Sequence, residues 1–203
     1  MLLEVEKITK SFGNHQVLDG VSFTADGGEV VGILGANGAG KTTLLRIVSR
    51  LVEADEGQVL FDGHLMTRAD LALVGYLPEE RGLYRRMRAG EQVLYLARLK
   101  GMTRAAADEA AHMWFRRLGA EEWWKHPVTK LSKGMQQKVQ FIASVVHNPR
   151  LLILDEPFSG FDSDNAAMLR REIERLRANG TAILLSTHNL QAASDLCIKT
   201  IQL

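Results

Sequence analysis

Apolar positions along the chain fall into short runs whose spacing switches between two and about 3.6 residues, and this switching lays out the elements. Residues 2–8 (Leu-Leu-Glu-Val-Glu-Lys-Ile) alternate apolar with charged, the pattern of a half-buried strand. Phe12-Gly13-Asn14 reads as a turn, residues 17–23 as a strand broken at Gly20, and Asp26-Gly27-Gly28 as the turn into an unbroken apolar run at 30–34. A helix is expected over 42–51. Residues 58–61 read as a short antiparallel strand with a hairpin at Asp62-Gly63, and residues 71–77 as a strand ended by Pro78. Helical spacing then takes over: 90–101 stops at Gly101, and 104–118 runs from a cap at Thr103 to a stop at Gly119. A further helix begins at Ser132 and Gly134 and runs to about His147, and another spans about 165–178. Two runs, at 151–154 (wholly apolar) and 181–187 (apolar at its centre), have the look of buried parallel strands. One short strand follows at 200–203, after a helix beyond His188.

These elements predict an α/β fold: a P-loop NTPase core with a mostly parallel sheet, an N-terminal antiparallel β subdomain and an inserted α-helical subdomain. The whole chain, 1–203, reads as one domain, with a core at about 1–80 and 131–203 and the helical insertion at about 81–130. Composition agrees, since 46% of residues are apolar and 24% charged. A net charge of +1 gives no electrostatic argument for nucleic acid or an anionic membrane surface. The single cysteine, Cys197, forbids an internal disulfide and suits a reducing compartment. No apolar run is long enough to span a bilayer, and acid appears too early for a signal peptide. A cytoplasmic protein is expected, with any membrane role exerted through a partner.

The chemistry centres on the stretch Gly35, Ala36, Asn37, Gly38, Ala39, Gly40, Lys41, Thr42, Thr43, which lies between a strand and a helix with G-x-x-x-x-G-K-[ST] spacing. Glycines let successive N–H groups turn inward, and the helix adds its positive end, so the loop suits phosphate. Lys41 would reach the β- and γ-phosphates, and the Thr42 hydroxyl would sit on Mg²⁺. The apolar strand at 151–154 delivers Asp155 and Glu156 to its C-terminal edge, where ligands gather in open α/β sheets. Asp155 suits Mg²⁺ opposite Thr42, and Glu156 suits proton acceptance from an attacking water. The strand at 181–187 brings His188 to the same edge, as a γ-phosphate contact. Phe12 either packs in the core or offers a platform for a purine ring. Ser132 at a helix start is either a cap or a second phosphate site. The other histidines read as surface or packing.

With these pieces in order, the chain resembles the ATP-binding subunit of an ABC transporter over its whole length. Phe12 stands at the adenine-stacking position, Tyr76-Leu77-Pro78-Glu79 at the Q-loop, and Leu131-Ser132-Lys133-Gly134-Met135-Gln136 at the signature. Leu-Asp-Glu-Pro (154–157) stands at Walker B, Ser159-Gly160-Phe161-Asp162 at the D-loop and His188 at the switch. The segments at 76–84 and 131–139 look most like the sodium-extrusion and multidrug-type exporters. The resemblance implies Mg-dependent ATP hydrolysis in a head-to-tail dimer, each ATP held between one subunit's loop and the other's Ser132 and Gly134, near Asp162. Closure of the dimer would drive integral membrane permease subunits, placing the chain on the cytoplasmic face of the membrane.

Three departures stand out. Glu79 replaces the usual Gln, putting an acid toward metal and water; Lys133 and Met135 replace Gly and Gln of the signature; and the chain stops after one strand where the family continues. Two other readings compete with a transport ATPase: a soluble ABC-type regulatory module, and a subunit that binds nucleotide without hydrolysing it. A single cassette, without a coiled-coil insertion or basic patch, argues against the first. Intact Lys41, Asp155, Glu156 and His188 argue against the second.

Overall fold

A computed structural model describes residues 1–80, 82–188 and 195–203. Two sheets carry the chain. The first, of order β2-β1-β4-β5, is antiparallel and is built from β1 (Leu3–Phe12), β2 (His15–Ala25), β4 (Glu56–Phe61) and β5 (His64–Leu65). The second, of order β6-β7-β8-β3-β9, is parallel throughout. It comprises β3 (Val30–Leu34), β6 (Val74–Leu77), β7 (Leu151–Asp155), β8 (Ala182–Thr187) and β9 (Lys199–Gln202).

Every residue of β3, β7 and β8 is buried, because both faces of this sheet are covered. Side chains alternate across it. Leu152, Leu154, Ile183 and Leu185 pack with the helices α4 (Lys133–Val145) and α5 (Ser163–Ala178). Leu151, Ile153, Ala182 and Leu184 face the other way, joining α1 (Lys41–Val48) and the antiparallel sheet. Helices α2 (Ala89–Leu99) and α3 (Arg104–Arg117) pack on each other and on α4, with Trp114 edge-on to Phe141 across that junction. Thr103 caps α3 through a bond from the Ala106 N–H, as the sequence predicts. Trp124 packs against Gly90 and Phe115, a structural use for an aromatic residue.

Some boundaries differ from expectation. β2 is one strand rather than a strand broken at Gly20: that residue adopts φ 60°, and the β1–β2 ladder absorbs it by shifting register. α1 ends at Val48 rather than 51, because Arg50 turns left-handed at φ 57° and the N–H groups of Leu51 and Val52 fold back on the Arg46 carbonyl. The expected strand at 71–77 is half strand; a 3₁₀ turn occupies Ala69–Leu73, and Lys100 ties it down by donating to the carbonyls of Leu71 and Val74. The helix expected just beyond His188 lies outside the described residues.

Candidate nucleotide site

The site grows from three strand ends. β3 runs into the loop 35–40, which opens directly into α1. Gly40 occupies the cap position at φ 98°, and a Cβ there would lie 2.9 Å from both the Val17 side chain and carbonyl, so only glycine fits. Among the described residues no side chain caps this helix, and no acid sits in its first turn. Its leading N–H groups and positive end therefore face the loop unscreened. Lys41, only 6% exposed, curls back so that Nζ donates to the carbonyls of Gly35 (2.9 Å) and Ala36 (3.1 Å). A bond from the Ala39 N–H to the Ala36 carbonyl tightens the turn.

β7 and β8 supply the acids and the imidazole. Their register sets Asp155 beside Ser186, so the next residues emerge together. Asp155 is buried, and its Oδ1 accepts from the Ser186 hydroxyl at 2.5 Å. The same hydroxyl oxygen accepts the Glu156 N–H at 3.0 Å. Glu156 has φ 48°, a left-handed backbone that aims its carboxylate back over the loop. Its Oε1 lies 2.9 Å from His188 Nδ1 and 3.7 Å from Lys41 Nζ. The phenol of Tyr76 on the neighbouring strand is pushed above its usual range, first by burial and then by the Asp155 charge.

A cleft of about 400 Å³ opens over this cluster, walled by the loop, Thr42, Thr43, Glu79 and Glu156 at one end and by Phe12, His15 and Val17 at the other. Phe12 is 54% exposed, which excludes the core-packing reading. Lys10 Nζ sits 5.5 Å from the ring centroid of Phe12, and Asp55 holds that ammonium at 2.6 Å.

Three expected site residues lie elsewhere. Ser132 and Gly134 do not line the cleft; the Ser132 hydroxyl caps α4 by accepting from the Met135 N–H. Asp162 caps α5. Its carboxyl is held below the usual range, chiefly by the Asn165 N–H and with the Asn165 side-chain amide also bonded to it. The sequence reading missed His15 and Ser186. Only Ser186 left a signal, as a polar residue closing an apolar strand.

The donor set fits Mg²⁺. Asp155 Oδ2 is a buried carboxylate oxygen with no hydrogen-bond partner among the described residues, and the Thr42 hydroxyl is a second hard oxygen at the cleft. No group of three or more His, Cys, Asp or Glu forms a metal cage among the described residues. Mg²⁺ needs none, since it is usually held by one or two carboxylates together with phosphates.

A glycine loop leading into an uncapped helix, beside a parallel sheet that ends in paired carboxylates, defines an α/β phosphate-loop nucleotide-binding domain. The chain belongs to the ABC transporter family, as an ATP-binding domain: that family matches residues 18–159. It is 41% identical over 196 residues to the uncharacterized ABC transporter ATP-binding protein YhaQ of Bacillus subtilis, covering 97% of this chain and 66% of YhaQ. The chain thus spans just under two thirds of the length of that relative. It is 31% identical over 203 residues to the lipopolysaccharide export system ATP-binding protein LptB of Haemophilus influenzae, covering 97% of this chain and 84% of LptB. A solved ATP-binding subunit of an ABC transporter superposes with a TM-score of 0.91 at 31% identity, over 100% of this chain and 86% of that one.

Proposed function

We propose that the chain binds and hydrolyses ATP and uses the cycle to drive export through a separate membrane permease. The observation that carries this reading is the meeting of Lys41 and His188 on one carboxylate oxygen of Glu156, at the end of a cleft with Phe12 at its far rim. In this reading Lys41 exchanges its two carbonyl partners for phosphate oxygens, gaining charge-assisted bonds in place of neutral ones. Glu156 accepts the proton of the attacking water, and His188 holds that carboxylate in place while facing the γ-phosphate. Gly35, Ala36, Asn37, Gly38, Ala39, Gly40 and Thr43 cradle the phosphates, and Phe12 stacks the base. Asp155, Thr42 and Glu79 would hold Mg²⁺, which supplies electrostatic stabilisation of charge on the phosphates.

Ser132 and Gly134 stand away from their own cleft, which suits contact with nucleotide on a second copy in a head-to-tail dimer; Asp162 would lie at the same junction. An apolar groove of about 340 Å³ between β6, α2 and α4, lined by residues such as Leu71, Leu83 and Leu99, suits a permease element. Exposed Leu51, Tyr84 and Tyr95 extend the apolar surface near it. The α2–α3 block, about 81–130, would then act as a helical subdomain inserted in a single domain. No helix among the described residues is long and apolar enough to cross a membrane. Attachment to the cytoplasmic face would come through the permease. Export, rather than import, rests on the likeness of residues 76–84 and 131–139 to exporter ATPases and on LptB.

The test is purified Glu156→Gln. It should bind ATP as the parent does, lose steady-state hydrolysis by at least a hundredfold, and shift from monomer to dimer by light scattering only with Mg-ATP. Normal turnover in this variant would remove Glu156 from the base role.

A further inference from the structure

We infer that Gln140, in the middle of α4, is the positioning residue for Glu79, and that α4 thereby fixes the acid wall of the cleft from behind. Gln140 is 6% exposed and does not reach the cleft. Its side-chain amide donates to the Pro78 carbonyl at 3.2 Å and the Glu80 carbonyl at 3.1 Å, one residue on either side of Glu79. Both N–H groups of a carboxamide are thus spent on the backbone that carries one carboxylate. Glu79 itself lines the cleft together with Lys41, Thr42 and Glu156. Pinning the carbonyls before and after it fixes the backbone from which the Glu79 side chain leaves.

Two neighbouring contacts make the clamp stiff. At Gly75 on β6, a Cβ would lie 2.1 Å from the Ser144 carbonyl, so strand and helix touch backbone to backbone with no slack. One turn earlier on α4, Gln137 donates to the Pro157 carbonyl at 3.0 Å, immediately after Glu156. A single helix therefore holds the loops that carry both carboxylates, while its own first turn begins at Ser132. Gln140 and Pro78 also line the apolar groove, so an occupant there would press on the clamp directly.

The consequence for hydrolysis rests on the ATPase reading, but the clamp can be tested without it. Gln140→Met keeps length and burial and removes both donors. Backbone order parameters of Glu79 and Glu80 in the nucleotide-free chain should fall, while those of the strand β7 are unchanged. Steady-state hydrolysis should lose about tenfold in kcat with KM for Mg-ATP within twofold. In a Glu79→Ala background the same substitution should make no further difference. Should Gln140→Met fail to fold, Gln140→Asn, whose shorter amide cannot span both carbonyls, takes its place. Unchanged order parameters at Glu79 and Glu80 overturn the clamp. A kcat loss of equal size with and without Glu79 overturns the positioning role. If the parent chain itself hydrolyses nothing, the ATPase reading falls and the order parameters still decide the clamp.

Discussion

Acidification should loosen this fold through one histidine. His147 follows α4, and its Nε2 donates to the Val74 carbonyl at 3.2 Å, which leaves the buried Nδ1 bare and without a partner among the described residues. Protonating Nδ1 would put a cation where no acceptor waits, beside the ammonium of Lys100. Burial first and Lys100 second lower the pKa of His147 from 6.5 to about 4, against the favourable pull of the Val74 carbonyl. The imidazole is therefore neutral in the folded chain and charged in the unfolded chain between pH 4 and 6.5. The unfolded state binds more protons in that window, so stability falls as pH falls. Full displacement of the pKa corresponds to about 3 kcal/mol, of which about 2 kcal/mol is lost between about pH 7.5 and pH 5.

Urea unfolding at about pH 7.5, 6.5, 5.5 and 5.0 measures this directly, with His147→Gln as the control. Glutamine can still donate to the Val74 carbonyl and does not titrate, so the variant should be flatter than the parent across the range by about 2 kcal/mol. Parallel curves for the two chains would refute the argument, because the pH dependence would then belong to other groups.

Two further expectations concern the base end of the cleft and the β6–α4 contact. Phe12→Ala should weaken ATP binding by about tenfold in calorimetry and leave inorganic tripolyphosphate unchanged, since stacking on an aromatic ring contributes roughly 1–3 kcal/mol per base; equal losses for both ligands would rule out stacking. Gly75→Ala should destabilise by about 2–3 kcal/mol, lowering the thermal midpoint by roughly 5–10 °C, because neither backbone can withdraw. A midpoint within a degree of the parent's would show that strand and helix can part.

What the sequence made legible was chemistry carried by neighbours in the chain. The loop 35–43 announces itself because its glycines, lysine and threonine act within one turn, and Asp155 and Glu156 because the strand that delivers them precedes them directly. The sheet alternation was readable for the same reason, since period two is a local property. Contacts made across the fold were not. Ser186 bonds to Asp155 from 31 residues away, and Gln140 reaches Pro78 and Glu80 from 62 and 60 residues away. No spacing rule registers a partner at that distance. His15 was passed over because a lone histidine in a hairpin has no local signature; only the pairing of Phe12 with His15 across the β1–β2 turn brings it to the cleft. Gly20 misled for the opposite reason: a local signal for a break was overruled by the ladder on either side of it.

The left-handed backbone at Glu156 has a consequence for how this chain can evolve. A non-glycine residue held at φ 48° gives up about 1 kcal/mol that glycine would not. Five non-glycine residues hold a positive φ among the described residues, and Glu156 is the one whose carboxylate faces Lys41 and His188. Glu156→Gly would relieve that backbone and remove the carboxylate from Lys41 and His188 in one step, so at this position conformational ease and the acid group cannot be had together.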